Sequence, residues 1–108
     1  MNFNVIITKL FARKTKKLLK KYPSLAGDLR PLAKELVQNP TMGTHLGKGC
    51  YKIRVAITSK GKGKSGGARV ITYVQVVKNT VFLLSIYDKA EVDSLTENEI
   101  NDLMNTIE

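Results

Sequence analysis

Residues 50–89 read CYKIRVAITSKGKGKSGGARVITYVQVVKNTVFLLSIYDK, and the periodicity inside this stretch decides the fold. From Tyr51 to Ile57, the apolar residues Ile53, Val55 and Ile57 alternate with Lys52 and Arg54, the period of two that sends each set to one face of a strand. From Ala68 to Val77, Arg69, Ile71, Tyr73 and Gln75 lie opposite Val70, Thr72, Val74 and Val76. From Val81 to Lys89, Phe82, Leu84 and Ile86 lie opposite Leu83, Ser85, Tyr87 and Lys89. Three strands joined by short links, with Lys78-Asn79 as a hairpin turn, predict an antiparallel meander.

The link between the first two of these strands is basic and rich in glycine. Lys60, Lys62 and Lys64 alternate with small residues, Gly61, Gly63, Gly66 and Gly67 let a backbone approach a ligand closely, and no acid interrupts them. Phosphate is the natural guest of such a loop. Gly63-Lys64-Ser65 spells the end of a nucleotide-binding P-loop, but that motif needs a glycine where Thr58 stands and a helix directly afterwards, and a β-branched run follows instead.

Upstream, Asn2 to Thr8 alternates weakly around Phe3, Val5 and Ile7 and predicts a short first strand. Lys9 to Tyr22 changes to helical spacing, with Phe11, Leu18, Leu19 and Tyr22 on one side and Lys14, Lys16, Lys17, Lys20 and Lys21 around the rest. It lacks the apolar bulk and tryptophan of a membrane-surface helix, so a core-facing helix with a cationic outer face is the reading. Ser24 can cap a second helix in which Leu29, Leu32, Ala33, Leu36 and Val37 form one stripe, ending near Asn39 and Pro40. Pro31 implies a later start or a kink. Thr41 to Gly49, with the only histidine, His45, reads as a polar connection. At the end, Thr96 and Glu99 form a capping box flanked by Leu95 and Ile100, opening a helix with the stripe Ile100, Leu103, Met104 and Ile107.

The predicted order is βααβββα: one α+β domain over residues 1–108, with a small, mainly antiparallel sheet, two helices packed on one face, and a C-terminal helix. Those helices are expected to bury Ile53, Val55, Ile57, Phe82, Leu84 and Ile86. The opposite face then shows Lys52, Arg54, Arg69, Tyr73, Ser85, Tyr87 and Lys89.

Charge sharpens this picture. The net charge is +9, but seventeen of the eighteen Lys and Arg lie in residues 1–87 against Asp28 and Glu35 alone, whereas residues 88–108 carry Lys89 against seven acids. A field of that sign over most of a small domain favours nucleic acid, an anionic membrane or an acidic protein. One His and one Cys give no metal cluster of recognised spacing, and neither Cys50 nor any serine has a base and an orienting group in a nucleophile pattern. Glu97, Glu99 and Asp102 suit a helix start and its solvated face. A single cysteine excludes an internal disulfide, and no signal peptide or apolar span appears, so a cytoplasmic protein without membrane contact is expected.

The stretch from Cys50 through Arg54, the strand from Ala68 to Tyr73, and the run ending Ile86-Tyr87-Asp88-Lys89 resemble the RelE-type toxins of bacterial toxin-antitoxin pairs, within the RelE/ParE superfamily. The loop from Lys62 to Arg69 and the strand from Leu83 to Lys89 especially resemble its HigB-like branch. The resemblance implies a RelE-like fold and a metal-independent endoribonuclease, needing no cofactor, that enters the ribosomal A site and cuts mRNA. It also implies a cognate antitoxin that holds the toxin inactive, as a hetero-oligomer.

By this resemblance Lys52 and Arg54 match the basic pair of the family's second strand, Arg69 its phosphate-contacting arginine, and Lys89 the basic residue ending its fourth strand. The chain lacks a C-terminal histidine, so Tyr87 stands in as a further catalytic group. Arg54 and Arg69 suit charge stabilisation because guanidinium groups stay protonated, which leaves Lys52, Tyr87 and Lys89 for proton transfer. Lys60, Lys62, Lys64, Lys14, Lys17, Lys21 and Tyr73 are the expected RNA and ribosome contacts. An acidic or groove-filling antitoxin segment is expected to neutralise this surface, displacing the acidic helix from Thr96 or packing beside it. Two other readings keep the same fold or charge: a ParE-like inhibitor of DNA gyrase, and a passive nucleic-acid-binding module.

Overall fold

The computed structural model describes residues 2–92 and 94–107. Asp93 and Glu108, counted above in the acidic tail, lie outside them.

The chain runs β1 (Asn4–Ile7), α1 (Lys9–Lys21), α2 (Leu25–Gln38), β2 (Thr44–Gly47), β3 (Cys50–Val55), β4 (Ala68–Gln75), β5 (Thr80–Asp88) and α3 (Glu97–Met104). These strands form one sheet in the order β1-β5-β4-β3-β2. The β2–β3, β3–β4 and β4–β5 pairs are antiparallel, and β1 lies parallel to β5.

The predicted α+β architecture is present, with one strand added. Residues 44–47, expected as connection, form the edge strand β2 through Thr44↔Lys52 and His45↔Tyr51. Its sequence, THLG, has no apolar alternation, because an edge strand half open to water has little to bury.

Helix α1 starts at Thr8, whose hydroxyl accepts from the Phe11 N–H and donates to the Leu83 carbonyl at 2.8 Å. One side chain thus caps the helix and fixes it to β5. Helix α2 runs from Leu25 to Gln38 with Pro31 inside it, so of the two alternatives, a later start or a kink, the later start does not occur. Ser24 supplies no side-chain cap to α2. Its hydroxyl instead donates to Asp28 and accepts from the Ser59 N–H, both at 2.9 Å. At α3 the expected capping box between Thr96 and Glu99 is complete. No helix among the described residues is long and apolar enough to cross a membrane.

Phe11, Leu25, Leu32 and Leu36 from the helices bury Ile53, Val55, Ile57, Val70, Val74, Val81, Leu83 and Ile86. A second cluster on the other face joins Cys50, Ile71, Leu84 and Tyr87 to Ile100 of α3, with Tyr73, Phe82, Leu95 and Leu103 packed beside it. The expected faces of β3 and β4 are therefore correct, and that of β5 is not: Phe82 and Leu84 lie opposite Ile86. The cause is a bulge. Ile71 pairs with Ser85 but Thr72 pairs with Leu83, leaving Leu84 as an extra residue that reverses the alternation halfway along β5. Strand β4 also ends at Gln75, before the predicted Val77. Val76 and Val77 sit in a short 3-10 turn, 68% and 95% exposed, ahead of Asn79 at φ 48°.

Gly67 is where the basic loop rejoins the sheet. A Cβ there would stand 2.1 Å from the Val55 carbonyl oxygen. Gly67→Ala is expected to destabilise the protein by roughly 2–3 kcal/mol, the cost of forcing an atom into a filled site, measured as a lower urea midpoint at unchanged m-value.

Candidate active site

The antiparallel register places three of the predicted site residues in one row: Arg54 pairs with Arg69, and Arg69 with Tyr87. Paired residues on adjacent strands share a face and stand about 5 Å apart. Lys52 lies on the same face one row along, where it pairs with Ile71, which in turn pairs with Ser85. Lys89 follows the end of β5, its N–H donating to the Gly67 carbonyl at 3.0 Å. Lys52, Arg54, Arg69 and Tyr87 thus share one end of one sheet face, with Lys89 just beyond it in the chain.

Their exposures differ sharply. Arg54 is exposed and Lys52 and Lys89 are half-buried, while Arg69 is 5% and Tyr87 7% exposed. Tyr87 is covered because this face is not the open surface that the sequence suggested. Helix α3 lies across it, inserting Ile100 beside Ile71, Leu84 and Tyr87. Lys48 secures that helix through a hydrogen bond to Asn101 Oδ1 (2.5 Å) and a looser ion pair with Glu97 (3.8 Å). What remains between α1, β5 and α3 is a cleft of about 240 Å³ lined by Lys14, Ser85, Tyr87, Leu95, Glu99 and Asp102. A neighbouring cleft of about 200 Å³ is shared by Lys14, Lys17, Tyr87 and Asp88. Lys14 and Lys17 of the basic helix are thereby part of the Tyr87 surroundings. Lys21 stands farther along α1, its ammonium 5.4 Å from the centre of the Tyr22 ring.

Tyr73 is not part of this group. It lies four residues along β4 from Arg69, about 13 Å away at strand rise, and stacks on Phe82 with ring centres 6.1 Å apart. Nor do the three loop lysines act alike. Lys62 and Lys64 are exposed. Lys60 is turned inward, its side chain 11% exposed and its ammonium 2.5 Å from Asp88 Oδ1. The Tyr22 hydroxyl donates to the other oxygen of Asp88 at 2.8 Å, and the Ala90 N–H donates to Oδ1 at 3.0 Å. Lys60 is thus already matched by Asp88 inside the fold, and freeing it for a docking role would leave that buried carboxylate without its cation.

The loop is braced at several points. Asp28 of α2 accepts from the Thr58 N–H at 3.0 Å and from its hydroxyl at 2.6 Å. The Arg69 guanidinium donates through Nη1 to the carbonyls of Lys64 (2.8 Å) and Ala68 (3.1 Å), and through Nη2 to that of Ser65 (3.3 Å). Ala68 opens a strand, not a helix, which rules out a P-loop.

Asp88 and Asp28 are the residues that the sequence reading missed. Asp88 belongs by position to the acidic tail, yet it compensates a cation of the body. The signal was present: it is the one acid within the run Leu83 to Lys89, and an acid in a buried strand calls for a partner.

Cys50 is fully buried, and that burial raises its thiol pKa, with Lys48 opposing. A thiol so placed is not an activated nucleophile. His45 is exposed on β2, its ring 5.0 Å from that of Tyr51. Among the described residues no group of three or more His, Cys, Asp and Glu could hold a metal ion.

The family profile described as RelE toxin of the RelE/RelB toxin-antitoxin system matches residues 4–107. The chain belongs to the RelE toxin family. Its fold is similar to that of the E. coli toxin RelE in the free state, in a double arginine-to-alanine mutant, with TM-score 0.62, 17% identity and 100% of each chain covered. It is also similar to the isolated E. coli RelE toxin, with TM-score 0.57, 18% identity, and 97% of this chain and 99% of that one covered. Membership in RelE makes this chain the toxin of a toxin-antitoxin pair and implies an antitoxin partner.

The Lys60–Asp88 pair sets a pH dependence for this RelE-family protein. Burial works to raise the Asp88 pKa, but the Lys60, Ala90 and Tyr22 hydrogen bonds outweigh it and hold the carboxyl below its ordinary 3.8. The hydrogen bond from Lys60 to Asp88 holds the Lys60 ammonium above its ordinary 10.5. A depressed carboxyl stabilises above its unfolded value and loses that contribution as pH falls through the folded one; a raised ammonium stabilises below its unfolded value and loses it as pH rises. The pair's contribution is therefore full between pH 3.8 and 10.5 and falls away outside that window. Asp88→Asn is expected to cost about 3 kcal/mol at pH 7. It should also remove the part of the acid-side slope that Asp88 supplies, as read from urea unfolding at stepped pH.

Proposed function

We propose that this toxin is a ribosome-dependent mRNA endoribonuclease, acting in the cytoplasm and held inactive in a hetero-oligomer with its antitoxin. The observation that carries this reading is the row Arg54–Arg69–Tyr87 with Lys52 on the same sheet face, and Lys89 just beyond the end of β5.

RNA carries its own nucleophile. When the 2′-hydroxyl attacks the adjacent phosphorus, that oxygen loses a proton, negative charge builds on the phosphoryl oxygens, and the 5′-oxygen of the next nucleotide leaves and takes up a proton. A protein that aligns the strand, neutralises the phosphate and moves those two protons is sufficient for such a step. Arg54, exposed at the rim, is the cation best placed to grip the reacting phosphate, because its planar fork matches two phosphoryl oxygens. Lys52, Lys89 and Tyr87 are the groups near it able to give or take a proton.

The remaining cationic surface serves docking. Lys14 and Lys17 border the Tyr87 clefts, Lys62 and Lys64 are exposed on the loop, and Lys64 lines a cleft with Arg54. Together they suit an RNA strand or the ribosomal RNA around it, with affinity that falls as salt rises. Helix α3 occupies part of the same face, so the antitoxin segment that silences this site would pack beside it or displace it.

Arg54→Ala is expected to lower mRNA cleavage at least about 10²-fold, the usual cost of removing one charge-stabilising donor. The fold should be left intact, since Arg54 is exposed. Mapping mRNA 5′ ends after induction in bacterial cells measures this: codon-phased cuts with the parent chain and their loss with Arg54→Ala are the expected pattern. Intact mRNA together with inhibited DNA supercoiling would overturn the nuclease reading in favour of gyrase poisoning.

A further inference from the structure

We propose that Glu35 and the main chain of Ala56 read one base of the bound RNA, held in the cleft between α2 and the open edge of β3. This rests on the RNA-cleaving reading of the site. It places beside the phosphate grip a pocket that prefers a base carrying an exocyclic amino group.

The edge of β3 is covered only in part. Strand β2 pairs with Cys50, Tyr51 and Lys52 and reaches no further toward Val55. The Val55 carbonyl oxygen points to the β4 side, since a Cβ on Gly67 would stand 2.1 Å from it. Neighbouring carbonyls along an extended chain point to opposite sides, so Ala56 turns its own N–H and C=O to the uncovered edge. Neither has a hydrogen-bond partner among the described residues, although Ala56 is half-buried. A donor and an acceptor side by side on a strand edge are ready to pair with a ligand that presents the same two groups in return.

That edge opens into a cleft of about 330 Å³ whose other wall is α2. The volume suits a small ring system. Pro31, Leu32, Met42 and Ile53 give the cleft apolar surface, which fits the face of a base and not a phosphate. Arg54 and Lys64 border the same cleft, so the cation that grips the reacting phosphate also edges the space into which a neighbouring base can turn. Single-stranded RNA is read in this way, with bases splayed out of the stack and hydrogen-bonded along their edges.

Glu35 supplies the selectivity. Residues 1–87 contain two acids, Asp28 and Glu35, and both line this cleft. Asp28 is committed to Ser24 and Thr58. Glu35 is exposed, and among the described residues its carboxylate forms no ion pair with Arg54 or Lys64. A carboxylate accepts hydrogen bonds and donates none, so it favours A, C or G over uracil, whose exocyclic groups are acceptors only.

Binding of short oligouridines in which one position is U, A, C or G tests this with the full chain. The parent is expected to bind at least one of the A, C and G strands about tenfold more tightly than the all-uridine strand. In Glu35→Gln, whose amide both accepts and donates, that preference should fall below about threefold, because uracil is now accepted as well. Gly27→Leu checks the position of the pocket. Gly27 lines the cleft, and a Cβ there meets nothing within 4 Å, so the added side chain fills the cleft without disturbing the fold. The urea midpoint should hold or rise, since glycine weakens a helix, and the base preference should again fall below about threefold. A parent with no preference, or a preference that survives either substitution, overturns the proposal. If Gly27→Leu spares the preference and weakens antitoxin binding instead, the edge belongs to a protein strand.

On ribosomes programmed with codons that differ at a single base, both variants should lose the parent's preference at one codon position; unchanged codon preference overturns the proposal. A parent that binds RNA with base preference and cuts no mRNA sinks the nuclease reading alone, and the oligonucleotide affinities still decide the role of Glu35.

Discussion

A carboxylate with 1% of its side chain exposed, Asp88, accepts hydrogen bonds from three separate parts of the chain: Tyr22 at the end of α1, Lys60 in the turn after β3, and Ala90 just beyond β5. A buried charge costs several kcal/mol unless it is paired and its remaining lone pairs are satisfied. Both conditions hold only when helix, loop and strand are all in place. The arrangement of the candidate site depends on this contact, since it sets where the loop leaves the sheet and where β5 ends. Arg54, Arg69 and Lys89 are positioned from those two points.

Much of this was legible in the chain itself, and the parts that were not have physical reasons. The alternation in β3 and β4 placed Lys52, Arg54 and Arg69 on one face because each strand keeps a period of two from end to end. In β5 the same rule misplaced Phe82 and Leu84, because a single extra residue reverses the alternation and no local signal marks it in a run as uniformly apolar as Val81 to Ile86. The edge strand β2 escaped notice for the opposite reason, having too few apolar residues to show a pattern.

Helix α3 was legible as a helix, from its capping box and stripe, but its location was not. A stripe says that a face will be buried, not which of two sheet faces will bury it. Its landing on the cationic face turns an open platform into a cleft edged by Glu99 and Asp102. Composition likewise suggested one class of loop lysine, where burial makes two: Lys60 is neutralised inside the molecule, and Lys62 and Lys64 face water. Net charge counted along a sequence cannot distinguish a cation already matched by Asp88 from one available to a partner.

The parallel pairing of β1 with β5 has a temporal meaning. The contacts that dock the start of α1 on the sheet, such as the Thr8 hydroxyl on the Leu83 carbonyl, close across 75 residues of chain. At the usual pace of synthesis, about 5–20 residues per second, the second partner emerges roughly 4–15 s after the first. Until then Lys9–Lys21 has no strand β5 to pack on, and the row Arg54–Arg69–Tyr87 lacks its last member. Whatever this toxin does, it does only after most of its own translation is over.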